Sequence, residues 1–308
     1  MNAVKPGIFF GRPLALCCFC LIIVLAFPLK GRGEEVAVIV SHNSLKVHEE
    51  ALRGFKSRCK ASLREYAADA AAGEIAEAKP RLIYAIGSDA LKAALQIRGI
   101  PIVFALVLLQ DSMDLSGRQV TGVRMTISPP EQLSVLKSVL PRVRRIGVVY
   151  NPKETGATFR DSKIAAELAG LSLVGRTAST PAEAIRAMES LRGKIDLFLM
   201  LPDTSLMDYE TVKYMLLFSF ETNTPIFAVS DRFVKNGALL GLNIDPFDIG
   251  RQAGEMAGKI LSGRNARDIP VSYARTGALS INMTTARKLG ISISPSMLKT
   301  ARVYGGLQ

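Results

Sequence analysis

Residues 145–154 read Arg-Ile-Gly-Val-Val-Tyr-Asn-Pro-Lys-Glu. The run from Arg145 to Tyr150 is short, apolar and rich in β-branched residues, and it stops at Asn151-Pro152. Its apolar residues are continuous rather than alternating, the mark of a strand buried on both faces of a parallel sheet. The same signature recurs on either side. Upstream it predicts strands at Val36–Val40, Arg81–Ile86, Pro101–Val107 and Val120–Arg124. Downstream it predicts Leu171–Val174, Leu197–Leu201, Pro225–Val229 and Ala238–Ile244. Helical patterns fill the intervals. Leu133, Leu136 and Leu140 form one stripe, widened by Val135 and Val139. Ala253, Met256, Ala257, Ile260 and Leu261 form another after Pro246. Strand and helix in alternation imply an α/β fold with right-handed crossovers.

The strands fall into two groups, opened by Val36–Val40 and Arg145–Tyr150. Between the groups lies Ser128–Pro141, with Pro129 and Pro130 at its start. This predicts two similar doubly wound parallel-sheet lobes joined near the first proline pair; one large sheet is the alternative. The expected division is residues 34–128 plus part of 248–280 for the first lobe. The second takes 129–247 plus part of 281–308, the segment from Asp248 onward crossing back between them.

The first 33 residues differ from the rest. Lys5 and Arg12 precede an apolar run from Leu14 to Phe27, and Gly31 and Gly33 follow it. That order predicts a cleavable secretory signal, since the run is shorter than the roughly 20 residues that span a bilayer; an uncleaved membrane anchor is the alternative. The expected mature chain starts near Glu34, has about 275 residues and resides in the periplasm. Cys17, Cys18 and Cys20 fall in the leader, but Leu16, Cys17 and Phe19 precede them, not the small residue of a lipid-attachment site. Cys59 alone remains, so no internal disulfide is expected. The net charge of +12 falls to +8 without Lys5, Arg12, Lys30 and Arg32. The remaining positive charge is scattered, with no basic stripe or recognisable module, so no nucleic-acid partner is predicted.

Motifs for catalysis are missing. His42 and His48 are the only histidines, and no cysteine pair accompanies them, so neither metal nor cofactor is predicted. There is no Gly-x-Ser-x-Gly elbow, no phosphate-binding loop, and no Gly-x-Gly-x-x-Gly after the first strand. What remains is polar chemistry at strand ends, where doubly wound sheets bind ligands. The first strand runs into Ser41 and Asn43. Gly87 is followed by Ser88 and Asp89, either a carboxylate site at a helix start or a plain N-cap. Tyr150 and Asn151 end the opening strand of the second lobe. Asp203 and Thr204 follow Leu197–Leu201, Asp231 follows Pro225–Val229, and Asp245 follows the last strong strand. These ten residues are the predicted ligand contacts. Asp203 has a competing role as a cap for a helix beginning near Asp208, or for a turn before it.

Several segments resemble one family: Ala85-Ile86-Gly87-Ser88-Asp89-Ala90, Thr121-Gly122-Val123, Ile146 to Pro152, Pro202-Asp203, Gly237-Ala238-Leu239, Gly250-Arg251-Gln252-Ala253-Gly254, and Asn282, Ala286 and Leu289-Gly290-Ile291. Their order and spacing are similar to those of ABC transporter substrate-binding proteins with the type I periplasmic binding fold, in the branch associated with aromatic and other amino acids. The resemblance implies two lobes, a hinge of several crossing strands, and a small polar ligand such as an amino acid trapped on closure. It implies a monomer that delivers its ligand to ABC permease and ATPase subunits. Ser88 would receive an anionic end of the ligand and Asp203 a cationic or hydroxyl end. A sensory protein serving a membrane receptor is the second reading, and an enzyme using Glu154, Asp203 and Asp245 the third. Two departures stand out. Lys60–Lys79 is short, predicting a reduced strand or helix, and Val107-Leu108-Leu109-Gln110-Asp111 lacks the family's Asp-Pro.

Overall fold

The computed structural model describes residues 35–41, 46–69 and 71–305. The predicted leader, residues 1–33, lies outside the described residues. The first half of the chain runs β1 (Glu35–Val40), α1 (Lys46–Lys56), β2 (Ser62–Ala67), α2 (Ala71–Ala78), β3 (Leu82–Ile86), α3 (Ser88–Gln96), β4 (Ile102–Val107) and β5 (Val120–Ile127). After α4 (Pro129–Val139) come β6 (Arg145–Tyr150), α5 (Pro152–Leu168), β7 (Ser172–Thr177), α6 (Pro181–Glu189), β8 (Leu197–Leu199), α7 (Tyr209–Thr222), β9 (Ile226–Ala228), α8 (Asp231–Lys235) and β10 (Leu240–Ile244). The chain closes with α9 (Pro246–Leu261), β11 (Ser272–Ala274), β12 (Gly277–Asn282), α10 (Met283–Lys288), α11 (Pro295–Thr300) and β13 (Arg302–Tyr304).

These strands build two sheets, one per lobe. The first has the order β11-β5-β4-β3-β1-β2 and the second β13-β12-β10-β9-β8-β6-β7. Every pairing in the first sheet is parallel. The second is parallel except where β12 meets β10 antiparallel. That exception follows from connectivity: β12 enters the second sheet straight from β11 of the first, without a helix to reverse its direction. The chain therefore changes sheet three times, around residues 127–129, 244–246 and 274–277. In β3 and β4 every residue is buried, which explains their unbroken apolar sequences.

Proline and a polar cap start most of the long helices. Ser128, Asn151, Thr180 and Asp245 each accept a backbone N–H at the head of α4, α5, α6 and α9, and each helix carries Pro in its first turn. This pairing suits the missing donor and fixed φ of proline. The helix α9 leaves β10 of the second sheet but packs on α1, beneath the first. Gly250 and Gly54 allow the approach: a Cβ at Gly250 would lie 1.9 Å from the Ala51 carbonyl oxygen, and one at Gly54 2.0 Å from that of Phe247.

Four strands lie outside the predicted set: β2, β11, β12 and β13. The expectation of a reduced element in Lys60–Lys79 is corrected, because that stretch holds both β2 and α2. The strand is an edge with mostly exposed residues, so its sequence, Ser-Leu-Arg-Glu-Tyr-Ala, is too polar to read as a buried strand.

Candidate functional site

A cleft of about 430 Å³ opens where the lobes and the three crossings meet. The first lobe contributes Val47 and Leu108. The crossings contribute Met125, Ile127, Gln132, Ile244 and Tyr273. The second lobe contributes Met200, Pro202, Met207, Phe227 and Phe233. The walls are thus largely apolar, with neutral hydroxyls interspersed: Thr126, Thr158, Ser162 and Ser230. Enclosed apolar surface with a few polar groups is the usual make-up of a small-molecule site. The three methionines add polarizable, adaptable surface suited to contact with a ring.

Of the predicted contacts, Asp203 and Thr204 line this cleft. Asp203 is 1% exposed, and protein donors occupy both its oxygens. Thr155 Oγ1 and the Asn151 N–H donate to Oδ2 at 2.6 and 2.8 Å. Ser205 donates to Oδ1 from its hydroxyl at 2.6 Å and from its backbone at 3.2 Å. The carboxylate thus gathers the loop after β8 onto the head of α5. Asp208, five residues on, caps α7 by accepting the Thr211 N–H at 2.8 Å, so the helix cap is Asp208, while Asp203, accepting the Ser205 N–H, caps the turn before it.

The other predicted residues are engaged elsewhere. Asn151 caps α5, accepting from Lys153 N at 3.1 Å, and its amide donates to Ser205 Oγ at 3.1 Å. The Tyr150 ring stacks on Phe159, centroids 4.1 Å apart. Asp245 caps α9 through the Phe247 and Asp248 N–H groups. Asp89 is exposed and faces Lys92 at 3.7 Å. Asp231 accepts from Ser280 Oγ at 2.7 Å, Arg302 at 3.2 Å and the Tyr304 hydroxyl, fastening β13 to the head of α8. Burial by itself would raise the Asp231 carboxyl, but the bonds from Tyr304, Ser280 and Arg302 and the Lys235 charge outweigh it and hold it below its ordinary value. Ser41 and Ser88 sit together beside Gly87 at the carboxyl edge of the first sheet. Ser41 Oγ donates to the Ile86 carbonyl at 3.3 Å, and Gly87, at φ 93°, opens α3 without a side-chain cap. Asn43 lies outside the described residues.

Strand-end reasoning missed the apolar lining and Tyr273. Tyr273 spans the lobes, donating to Asp161 Oδ2 at 3.1 Å with Arg124 over its ring at 5.0 Å. Burial pushes its phenol up; the Arg124 charge opposes that shift and Asp161 adds to it. Among the described residues no cluster of acidic, histidine and cysteine side chains could hold a metal. Nor is any described helix long and apolar enough to cross a membrane.

Comparison with known proteins gives a consistent set of matches. The family described as "ABC transporter substrate binding protein" matches residues 35–304. A tyrosine-binding protein from Clostridioides difficile (strain R20291) is 30% identical over 220 residues, covering 68% of this chain and 63% of that protein. The chain thus spans somewhat less than two thirds of that relative's length. Among solved structures, a conserved domain protein from Vibrio cholerae O1 biovar El Tor is 26% identical with a TM-score of 0.61, over 88% of this chain and 99% of that one. Two more share the fold at 22% identity, each over 88% of this chain. One is an ABC domain from Streptococcus pneumoniae in complex with L-Trp, at TM-score 0.59 over 99% of that chain. The other is a ligand-free, open substrate binding protein with adhesive properties from Clostridium difficile, at TM-score 0.65 over 98% of that chain.

Proposed function

The chain belongs to the ABC transporter substrate-binding protein family, and from that premise we propose that its cleft captures one small organic solute with an apolar or aromatic body and delivers it to an importer. The observation that carries this reading is the cleft itself: about 430 Å³, apolar-walled, and lined from both lobes and all three crossings. A solute held there touches both lobes and so favours their closed arrangement. The tyrosine and tryptophan named for two similar proteins supply the first candidates. Thr126, Thr158 and Ser230 are the neutral groups available to its polar atoms, and Thr204 stands at the wall. Asp203 acts through Asn151, Thr155 and Ser205.

The family is one of solute binders and not of catalysts, and its members work outside the cytoplasm. In finer terms, the chain would be exported by a cleaved leader over residues 1–33. It would act in the periplasm as a monomer, hand its solute to permease and ATPase subunits, and return the solute chemically unchanged. The division into lobes of 34–128 plus part of 248–280, and 129–247 plus part of 281–308, belongs to the same reading.

Native mass spectrometry of protein purified without refolding tests it, together with thermal shift against L-tyrosine and L-tryptophan. The expected result is a carried or added solute bound one to one, recovered unchanged, with a raised Tm. Protein that carries nothing and whose Tm responds to neither amino acid would overturn the reading.

A further inference from the structure

The loop after β4 leaves its own lobe. Pairing between β4 and β5 shifts register between Phe104 and Val107, and Leu106 adopts a left-handed backbone, φ 56°. That conformation is uncommon for a bulky residue, and an irregularity at a strand end re-aims the chain beyond it. Leu108 then lines the cleft, and the next three polar residues reach the second lobe. Gln110 Nε2 donates to Thr204 Oγ1 at 2.7 Å. The Asp111 N–H donates to the Glu154 carbonyl at 2.9 Å. Ser112 Oγ donates to the Glu154 carboxylate at 2.6 Å. In the fourth contact the direction reverses: the Ala157 N–H donates to Asp111 Oδ2 at 2.6 Å.

That fourth contact depends on a defect in α5. The helix is interrupted at Thr155, where φ is −131° and ψ 19°. A second helix start thereby opens inside the element, with backbone donors of the kind that need a cap. Asp111 supplies that cap from the opposite lobe. The interruption is also tied to the cleft, because Thr155 Oγ1 donates to Asp203, and Asp203 and Thr204 line the cleft wall. The contacts that join the lobes and the wall that meets solute are one hydrogen-bonded chain.

We propose that Asp111 is a positioning residue that holds the lobes together by capping the broken α5 across the cleft, so that the closed form is populated before solute arrives. This rests on the solute-binding reading for its role in capture. A hydrogen bond in an exposed position shifts a two-state ratio by roughly two- to tenfold, enough for one residue to tilt which form prevails where the two lie close in energy.

The test is small-angle scattering of purified protein dialysed free of solute, with native mass spectrometry confirming that none is carried. Wild type, Asp111→Ala and Asp111→Asn are compared. The expected result is a compact wild type, a larger radius of gyration for Asp111→Ala, and Asp111→Asn close to wild type, since its amide oxygen still accepts from Ala157. A merely structural defect would not be rescued in this way. Identical profiles for wild type and Asp111→Ala overturn the proposal, as does opening of Asp111→Asn to the extent of Asp111→Ala. Should Asp111→Ala fail to fold, Asp111→Leu, which keeps the shape of the side chain and removes its acceptor oxygens, reads the same equilibrium, and an unchanged profile there overturns it equally. Scattering of solute-free protein bears on the latch alone, whereas failure to carry or bind solute brings down the capture reading.

Discussion

Asp203 has two oxygens and four donors aimed at them, from Asn151, Thr155 and Ser205. A carboxylate so engaged, and 1% exposed, organises its surroundings before it meets any solute. Asp203→Ala strands two backbone N–H groups and two hydroxyls at a largely buried place, and the expected loss of stability is about 2–4 kcal/mol, measured by urea denaturation. Asp203→Asn turns an NH2 group toward two of those donors and recovers part of the loss. A residue serving only as a solute contact would leave the solute-free protein as stable as wild type, so the melt separates the two roles. The residue scale is also where sequence said least about the site. Asp203 and Thr204 were legible from their position after an apolar strand. Asp231 and Asp245 hold equivalent positions, yet one is taken by Ser280, Arg302 and Tyr304 and the other by the head of α9. Position along the chain shows that a polar group stands at a strand end; it does not show which neighbours will consume it. Met125, Leu108 and Phe227 pose the converse problem, since an apolar residue that walls a cleft has the same letter as one that fills a core.

At the scale of elements, the contact between α1 and α9 has no slack. Backbone meets backbone at Gly250 and Gly54, where a single added methyl would fall within 2.0 Å of a carbonyl oxygen. Gly250→Ala therefore forces two helices apart, and the expected cost is about 3 kcal/mol or more, the upper end for overpacking, read as a fall in Tm. Gly258 on the same helix has open space around it; Gly258→Ala is the matched control and should leave stability the same or slightly higher. The elements themselves were mostly legible. Strands such as β3 and β4, buried on both faces, announced themselves as unbroken apolar runs, and proline with a polar cap announced the helices. The missed strands share a physical cause. The edge strand β2 faces solvent along most of its length, while β11 and β13 are three residues long. Too few of their side chains are buried to print a pattern. The strand β12 begins with exposed Gly277 and Ala278 and becomes buried only from Ser280 onward, so it reads as the tail of a loop.

For the whole molecule, the three crossings make the lobes interdependent. Buried residues from both sheets, among them Val36, Tyr84, Ile146 and Leu240, belong to one continuous apolar core with Ile249 and Ala253 of α9. Two bodies that share a core and exchange elements should not melt separately. Calorimetry of solute-free protein should show a single transition whose calorimetric and van't Hoff enthalpies agree; two resolved transitions would mean that the lobes are independent after all. The two-lobed α/β architecture was legible at this scale from the strand groups and from the order of the family's segments. The exchange between sheets was not, because a crossing is a property of where strands end up and leaves no local pattern at residues 244–246 or 274–277. Its consequence reaches beyond folding to how this gene can be divided. A fragment ending near residue 128 would lack β11, leaving the outer edge of β5 bare, and would lack α9, leaving the groove on α1 that admits Gly250 open to water. A fragment beginning there would carry α9 with nothing to lie against. The lobes are therefore not modules: each is completed by sequence encoded beyond the other, and recombination that traded one lobe between relatives would have to exchange two separate segments at once, cutting the chain at all three crossings.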